Sequence, residues 1–232
     1  MSLKPHEQFF VITGPEGAGK TTLSDVLARR GLTVVVESTR EVWKHQARLG
    51  GPFIAFKRGT DQEQLTYFEL SLAWDMRSYD AAMALAAGQN QFSPFSGADI
   101  ASPGHTGKLL PRTHKDAPVI FDRGIIDIII FLKYSGLPVP EHIERAARLH
   151  PYNSTVFLAP FWPAIYIQDS ERISSPDEAA SQERICREVY ECYGYRLVSL
   201  PLSSAEERAD FVMKHIGLDL AVRGALRDFL PA

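Results

Sequence analysis

An α/β fold, with a mostly parallel sheet covered by helices on both faces, is the architecture this sequence predicts, and three observations predict it. Short apolar runs alternate with stretches of helical length and helical apolar spacing along the chain. The first apolar run, residues 9–13, opens directly onto a glycine-rich turn, GPEGAGKTT, that leads into a helical pattern. A later run, residues 119–121, closes on an acid, Asp122, at the strand end where loops collect in a parallel sheet. The sequence carries no internal repeat.

The other strands fall at residues 33–36, 155–158 (with a continuation at 165–167) and 195–200, all short and apolar. Capping residues mark the helices. Thr60 and Glu63 form a capping box ahead of Leu65, Phe68, Leu72, Met76, Tyr79 and Met83, an apolar stripe that stops at Gly88. Ser175, Pro176 and Glu178 open a helix that closes at Gly194, and Ser203 with Glu206 opens one that closes at Gly217. Residues 125–132 pose a conflict. Their β-branched run favours a strand by propensity, whereas their place after the strand-end acid favours a crossover helix, and helix is the expectation. Residues 89–118, rich in Gly, Ser, Pro and His and without a hydrophobic period, are expected to form a mobile loop. Phe92 and Phe95 would anchor it, and His105 and His114 would be solvated. A flap over a substrate and a tolerated surface insertion are both open readings of it.

A chain of 232 residues, 45% hydrophobic and 23% charged, suits a single domain over residues 1–232. The net charge of −3 and the lack of a dense Lys/Arg block argue against nucleic acid as a partner, because nonspecific binding there relies on neutralising phosphates. No apolar run is long enough for a bilayer, and the start, MSLKPHEQ, lacks the apolar core of a signal peptide, so a cytoplasmic location is expected. Its first three residues read as a cloning remnant. Cys186 and Cys192 lie six residues apart on one expected helix, about 9 Å along its axis, too far for a disulfide, and read as reduced thiols. The seven histidines show neither HExxH nor a Cys/His ligand spacing, which argues against zinc.

Gly14 to Thr22 fits the phosphate-binding pattern GxxxxGK[ST]. In the loop of Gly14, Pro15, Glu16, Gly17, Ala18 and Gly19, the glycines let the backbone wrap a phosphate and turn successive N–H groups inward at the positive end of the next helix. Lys20 is expected to reach the β- and γ-phosphates of ATP. Thr21 puts a hydroxyl where a bridging Mg2+ needs a ligand, and Thr22 completes the cofactor loop. The Glu16 side chain is expected at the surface.

Asp122 is the natural outer ligand of that Mg2+. A hydrolytic ATPase commonly carries a Glu next, to orient water. Here Arg123 follows, a group suited to gripping an anion, which favours transfer to a bound acceptor. The run VVVESTREV places Glu37 at the same sheet edge, with Arg40 and Glu41 about one turn on. Glu37 is a candidate general base and Arg40 a candidate clamp on an anionic part of the acceptor; a helix-capping acid with a solvated arginine is the other reading. The segment at 169–184 reads as a lid. Arg172, with Asp169 to orient it, is the candidate to stabilise γ-phosphate charge, with Arg184 as second candidate and a solvated charged face as the alternative.

Taken together, GPEGAGKTT, ESTRE, FDRGIID, QDSERI and GYRLVSLPLSSAEERADFV resemble small AAA-like P-loop ATPase and kinase domains, a group similar to the nicotinamide riboside kinase domain of bacterial NAD regulators. The resemblance runs from Phe9 to about Ile216, interrupted by the long loop. It implies a nucleoside- or nucleotide-kinase-like P-loop NTPase fold with five central strands, ATP with Mg2+, and an acceptor pocket between Glu37, Arg40 and the pair Asp122 and Arg123. It also implies that residues 201–204 lie near adenine. The expected activity is transfer of a γ-phosphate to a nucleoside-like or other small hydroxyl acceptor. The alternative is a noncatalytic or regulatory ATP/GTP-binding module with weak hydrolysis. A guanine-specific switch would carry [NT]KxD, and the nearest string, THKD at Thr113 to Asp116, has the wrong order. A ring-forming motor would need a Glu after Asp122 and a C-terminal helical domain. The tail at 218–232, with Leu218, Leu220, Val222, Leu226 and Phe229, would pack on the domain or on a second subunit as an oligomer contact.

Overall fold

The computed structural model describes residues 4–49, 59–88, 117–165 and 175–218. In chain order they form β1 (Phe9–Thr13), α1 (Lys20–Arg29), β2 (Thr33–Val35), α2 (Ser38–Leu49), α3 (Asp61–Ala86), β3 (Val119–Asp122) and α4 (Ile125–Tyr134). There follow α5 (Glu141–Leu149), β4 (Thr155–Leu158), α6 (Pro176–Cys192), β5 (Arg196–Ser199) and α7 (Ala205–His215). The five strands lie in the order β2-β3-β1-β4-β5, and every neighbouring pair is parallel. β1 is central and both its neighbours come later in the chain, so the loop leaving its C-terminal end sits where connections diverge to either side.

Alternation along the strands separates two cores. Phe9 and Val11 of β1, Val119 and Phe121 of β3, and Val156 and Leu158 of β4 face one way, against α3, α4, α5 and α6. Ile12, Ile120 and Phe157 face the other way, against Leu23, Val26 and Leu27 of α1 and Ala209, Val212 and Met213 of α7. Helices therefore cover both faces, as expected. Thr13 ends β1 on the first face, which aims its hydroxyl at α4 and α6.

The conflict over residues 125–132 resolves as helix. All eight are buried, because α4 is packed between the sheet and helices α3, α5 and α6. β-branching costs only a few tenths of a kcal/mol per residue in a helix, whereas burying each side chain is worth about 1.5–3 kcal/mol, so packing decides. The capping boxes at Thr60/Glu63 and Ser175/Glu178 form as read. The third is shifted by one residue: Ser204 caps α7 and Glu207 closes the box. Glu206 is instead drawn across to Arg29 and Arg30 of α1, and that pairing selects between the two registers the sequence SSAEE allows.

Other expectations shift at their edges. β2 stops at Val35, β5 spans only Arg196–Ser199, and β3 extends to include Asp122. Ile165 ends a 3-10 turn, Pro163–Ile165, rather than continuing β4, and residues 166–167 lie outside the described residues. Leu218 packs against the core beneath α7, and the rest of the tail lies outside the described residues, as do 89–116 with Phe92, Phe95, His105 and His114. Cys186 is buried on α6 and Cys192 exposed at its end, both free thiols. Among the described residues no helix is long and apolar enough to cross a membrane.

Candidate functional site

The loop between β1 and α1 is shaped by two glycine positions. Gly14 has φ +136°, and a Cβ there would stand 2.2 Å from the Ala159 carbonyl oxygen after β4, so only glycine lets the chain turn at this point. Gly19, at φ +80°, caps α1 in the left-handed region. Lys20 opens α1 with its ammonium folded back into the loop, donating to the Gly14 carbonyl at 3.0 Å and the Pro15 carbonyl at 2.6 Å. Burial first, and the Arg123 charge second, pull its pKa down to about 8. Thr21 is half-buried and Thr22 exposed. Glu16 is half-buried rather than fully at the surface, and its backbone N–H donates to Gln182 Oε1 of α6 at 3.1 Å.

Asp122 pairs in register with Ile12 and ends β3 beside this loop. Its carboxyl is 4% exposed, and Oδ1 is buried with no hydrogen-bond partner. Burial, and then the neighbouring charge of Glu37, push its pKa up to about 6. A buried carboxylate oxygen lacking a donor is what a hard cation completes. With the Thr21 hydroxyl heading the adjoining helix, the donor set fits Mg2+. Among the described residues no group of three His, Cys, Asp or Glu side chains gathers into a metal cage, and Mg2+, which keeps several waters, needs none.

Arg123, expected from the sequence to grip an anion, is 7% exposed and ion-paired within the protein. It adopts φ 71°, in the left-handed region, and turns inward. Its Nε donates to Glu37 Oε1 at 2.9 Å, its Nη1 to Asp127 Oδ1 at 3.0 Å, and its guanidinium lies 4.7 Å from the centre of the Phe131 ring. Asp127, on the first turn of α4, also accepts from the Thr13 hydroxyl at 2.6 Å, the Gly124 N–H at 3.0 Å and the Tyr190 hydroxyl at 2.6 Å. One ion-paired network thus ties the ends of β1, β2 and β3 to α4 and α6. Glu37 accepts a further bond from Thr39 Oγ1 at 2.6 Å, and both of its bonds fall on Oε1. Its pKa lies down at about 2: burial opposes this, and Arg123, Lys20 and Arg40 override it.

Arg40 is half-buried on α2, near enough for its charge to lower both Glu37 and Asp122. Glu41 is buried and paired with Lys44 at 2.9 Å. Residues 176–184, half of the expected lid, belong to α6, and there Arg184 is exposed and paired with Glu188 at 3.0 Å. Arg172 and Asp169 lie outside the described residues.

Two site residues escaped the sequence reading. Asp75 of α3 is hydrogen-bonded to Ser38, and burial, reinforced by Asp127 and Glu37, raises its pKa to about 8. The signal was an acid on the stripe of Phe68, Leu72, Tyr79 and Ala82, where a core residue belongs. Arg208 of α7 reaches the back of the phosphate loop, donating to the Ala18 carbonyl at 2.7 Å. Nothing in its local sequence marks it.

A protein-family profile described as an AAA domain matches residues 9–92 and 106–208, covering the phosphate loop, Glu37 and the Asp122 network. The chain belongs to that AAA-domain family. The interruption in the match, 93–105, falls inside the long loop. Among solved structures the AAA-domain chain is similar to thymidylate kinase from Ehrlichia chaffeensis, at 14% identity and TM-score 0.52, over 90% of this chain and 97% of that one. It is similar to deoxyadenosine kinase from M. mycoides, solved with dCMP and a flexible dCDP, at 13% identity and TM-score 0.55, over 90% and 98%. It also resembles the NadR protein in complex with NR, at 16% identity and TM-score 0.52, covering 90% of this chain and half of that one. No curated protein matches its sequence significantly. The AAA-domain chain therefore has the kinase-like P-loop fold, with its sheet all parallel.

Proposed function

We propose that this AAA-domain protein is an ATP- and Mg2+-dependent kinase that phosphorylates a hydroxyl of a nucleoside-like small molecule. The observation that carries the reading is the turn after β3. The position that holds a water-orienting Glu in hydrolytic ATPases holds Arg123, turned inward and paired with Glu37 and Asp127, so the residue after Asp122 supplies no carboxylate to direct water. Glu37 instead faces the site from the β2 side, ionised at any physiological pH.

In this reading Gly14 to Thr22 bind the ATP phosphates. Lys20 exchanges its two loop carbonyls for phosphate oxygens, a swap that charge-assisted hydrogen bonding favours. Thr21 and Asp122 would hold Mg2+, which neutralises charge developing on the phosphates. Glu37 Oε2 accepts the acceptor hydroxyl and orients its oxygen toward the γ-phosphorus. As the new O–P bond forms and the bond to the leaving ADP oxygen breaks, the hydroxyl proton passes to Glu37. A carboxylate with pKa near 2 is a weak base, so this transfer comes late, once the attacking oxygen has become acidic. Arg40, and Arg172 from the lid segment, are assigned to anionic groups of acceptor and γ-phosphate, and a cytoplasmic location belongs to the same proposal.

The low basicity of Glu37 also favours a second reading, a nucleotide-binding module without acceptor turnover. The experiment is ADP release from Mg·ATP with and without a panel of nucleosides, nicotinamide riboside and small hydroxyl compounds, with Lys20→Ala as blank. Acceptor-stimulated ADP supports the kinase. Tight ATP binding with no stimulation by any compound supports the module.

A further inference from the structure

Two arginines are buried beside the phosphate loop, and they differ in one respect. Arg123 faces two carboxylates. Arg208 is only 2% exposed and, among the described residues, faces none: its Nε donates to the Pro201 carbonyl at 2.9 Å, its Nη1 to the Ala18 carbonyl at 2.7 Å, and its guanidinium lies 5.1 Å from the centre of the Trp162 ring. Nη2 is buried without an acceptor among the described residues. Burial lowers its pKa, and no acid among the described residues restores it.

An uncompensated cation inside a protein is costly, and carbonyl dipoles with an aromatic face offset that cost only in part. Its position gives the cost a use. Ala18 and Gly19 lie in the part of the loop whose N–H groups are assigned to phosphate, and a Cβ on Gly19 would stand 3.4 Å from Arg208 Nη1. The guanidinium thus touches the outer side of the loop, while the same contact joins it to the turn after β5 and the segment after β4.

We infer that Arg208 is a positioning residue for the polyphosphate of a bound nucleotide: from behind the loop it fixes the peptide at Ala18 and supplies a buried positive charge that an arriving polyphosphate balances. This rests on the loop being the nucleotide site, as proposed above. Because the partner is the anion, the arginine strengthens the liganded state and does little for the empty one.

The test is calorimetric titration of the full chain with Mg·ATP and with Mg·tripolyphosphate, for wild type, Arg208→Met and Arg208→Lys, together with melting temperatures without ligand. The methionine variant should lose about tenfold in affinity for both anions, while its unliganded melting temperature stays level or rises, since an unpaired buried charge has been removed. The lysine variant, which keeps the charge, should retain most of the affinity. Unchanged affinity in the methionine variant, or a lowered unliganded melting temperature with unchanged affinity, makes Arg208 a structural pin and overturns the inference. So does a loss confined to ATP, which would place its action at the base. If the methionine variant does not fold, Arg208→Gln, a donor without charge, must show the same tenfold loss, and wild-type affinity there overturns the inference. Wild-type protein that binds neither anion fails the nucleotide reading itself; the other outcomes bear on Arg208 alone.

Discussion

Replacing Arg123 by Ala would strip the shared cation from two buried acids, and the structure sets the size of the effect. The side chains of Arg123, Glu37 and Asp127 are 7%, 16% and 2% exposed, so solvent screens little of the interaction. Breaking a buried pair costs about 3–5 kcal/mol. Asp127 keeps three other donors, but among the described residues Glu37 keeps one side-chain donor, Thr39, so Glu37 suffers most. Arg123 is the largest of the charges holding Glu37 near 2, against an ordinary value of 4.5. That depression amounts to about 3 kcal/mol of stability, present above the unfolded pKa and lost as pH falls from 4.5 toward 2. The gap between wild type and Arg123→Ala in urea unfolding, followed by far-UV circular dichroism, should therefore be about 3–5 kcal/mol near neutrality and narrow below about pH 4.5. Arg123→Gly should recover about 1 kcal/mol, because the φ of 71° no longer strains a Cβ. A gap under about 1 kcal/mol near neutrality, or one independent of pH, would refute the network as described.

The remaining expectations concern the loop and the metal site. Protonated Asp122 is a poor magnesium ligand, so the Mg2+ needed for half-maximal ADP release should rise as pH falls through about 6, and Asp122→Asn should need more above that pH, without the inflection, and converge on wild type below it. ATP affinity measured by calorimetry should weaken as pH rises through about 8, where Lys20 loses its proton; Lys20→Ala should bind about 10- to 100-fold more weakly and lose the alkaline step. Gly14→Ala drives a Cβ to 2.2 Å from backbone that cannot rotate away and should cost about 3–5 kcal/mol, whereas Gly19→Ala meets a movable Ile165 side-chain atom at 3.2 Å and should cost about 1–2 kcal/mol. Equal melting temperatures for the two glycine variants would contradict the loop geometry.

What could be read from sequence was whatever depends on local chemistry. The loop glycines, the acid ending β3 and two of three capping boxes are short-range patterns, and each appears where expected. What sequence left open depended on partners far along the chain. Of the two counter-charges of Arg123, Asp127 lies only four residues on and was legible, whereas Glu37 lies 86 residues away, and the Arg208 contact with Ala18 spans 190. The α7 cap slipped by one residue for the same reason, since Arg30 of α1 claims Glu206. Asp75 is the exception: the stripe on which it interrupts the core is fully visible in the sequence.

The two thiols of α6 lie in very different settings. Cys186, wedged against the Thr13 hydroxyl, has burial push its pKa up to about 12, and its thiolate is neither accessible nor populated at neutral pH. Cys192 stands exposed about 1.7 turns on. A maleimide dye should therefore attach at one place on the described surface without any engineered cysteine. That place is the far end of the helix whose Gln182 accepts from the phosphate loop and whose Tyr190 donates to Asp127. A fluorophore there would report optically on how α6 answers when nucleotide arrives, in the native chain.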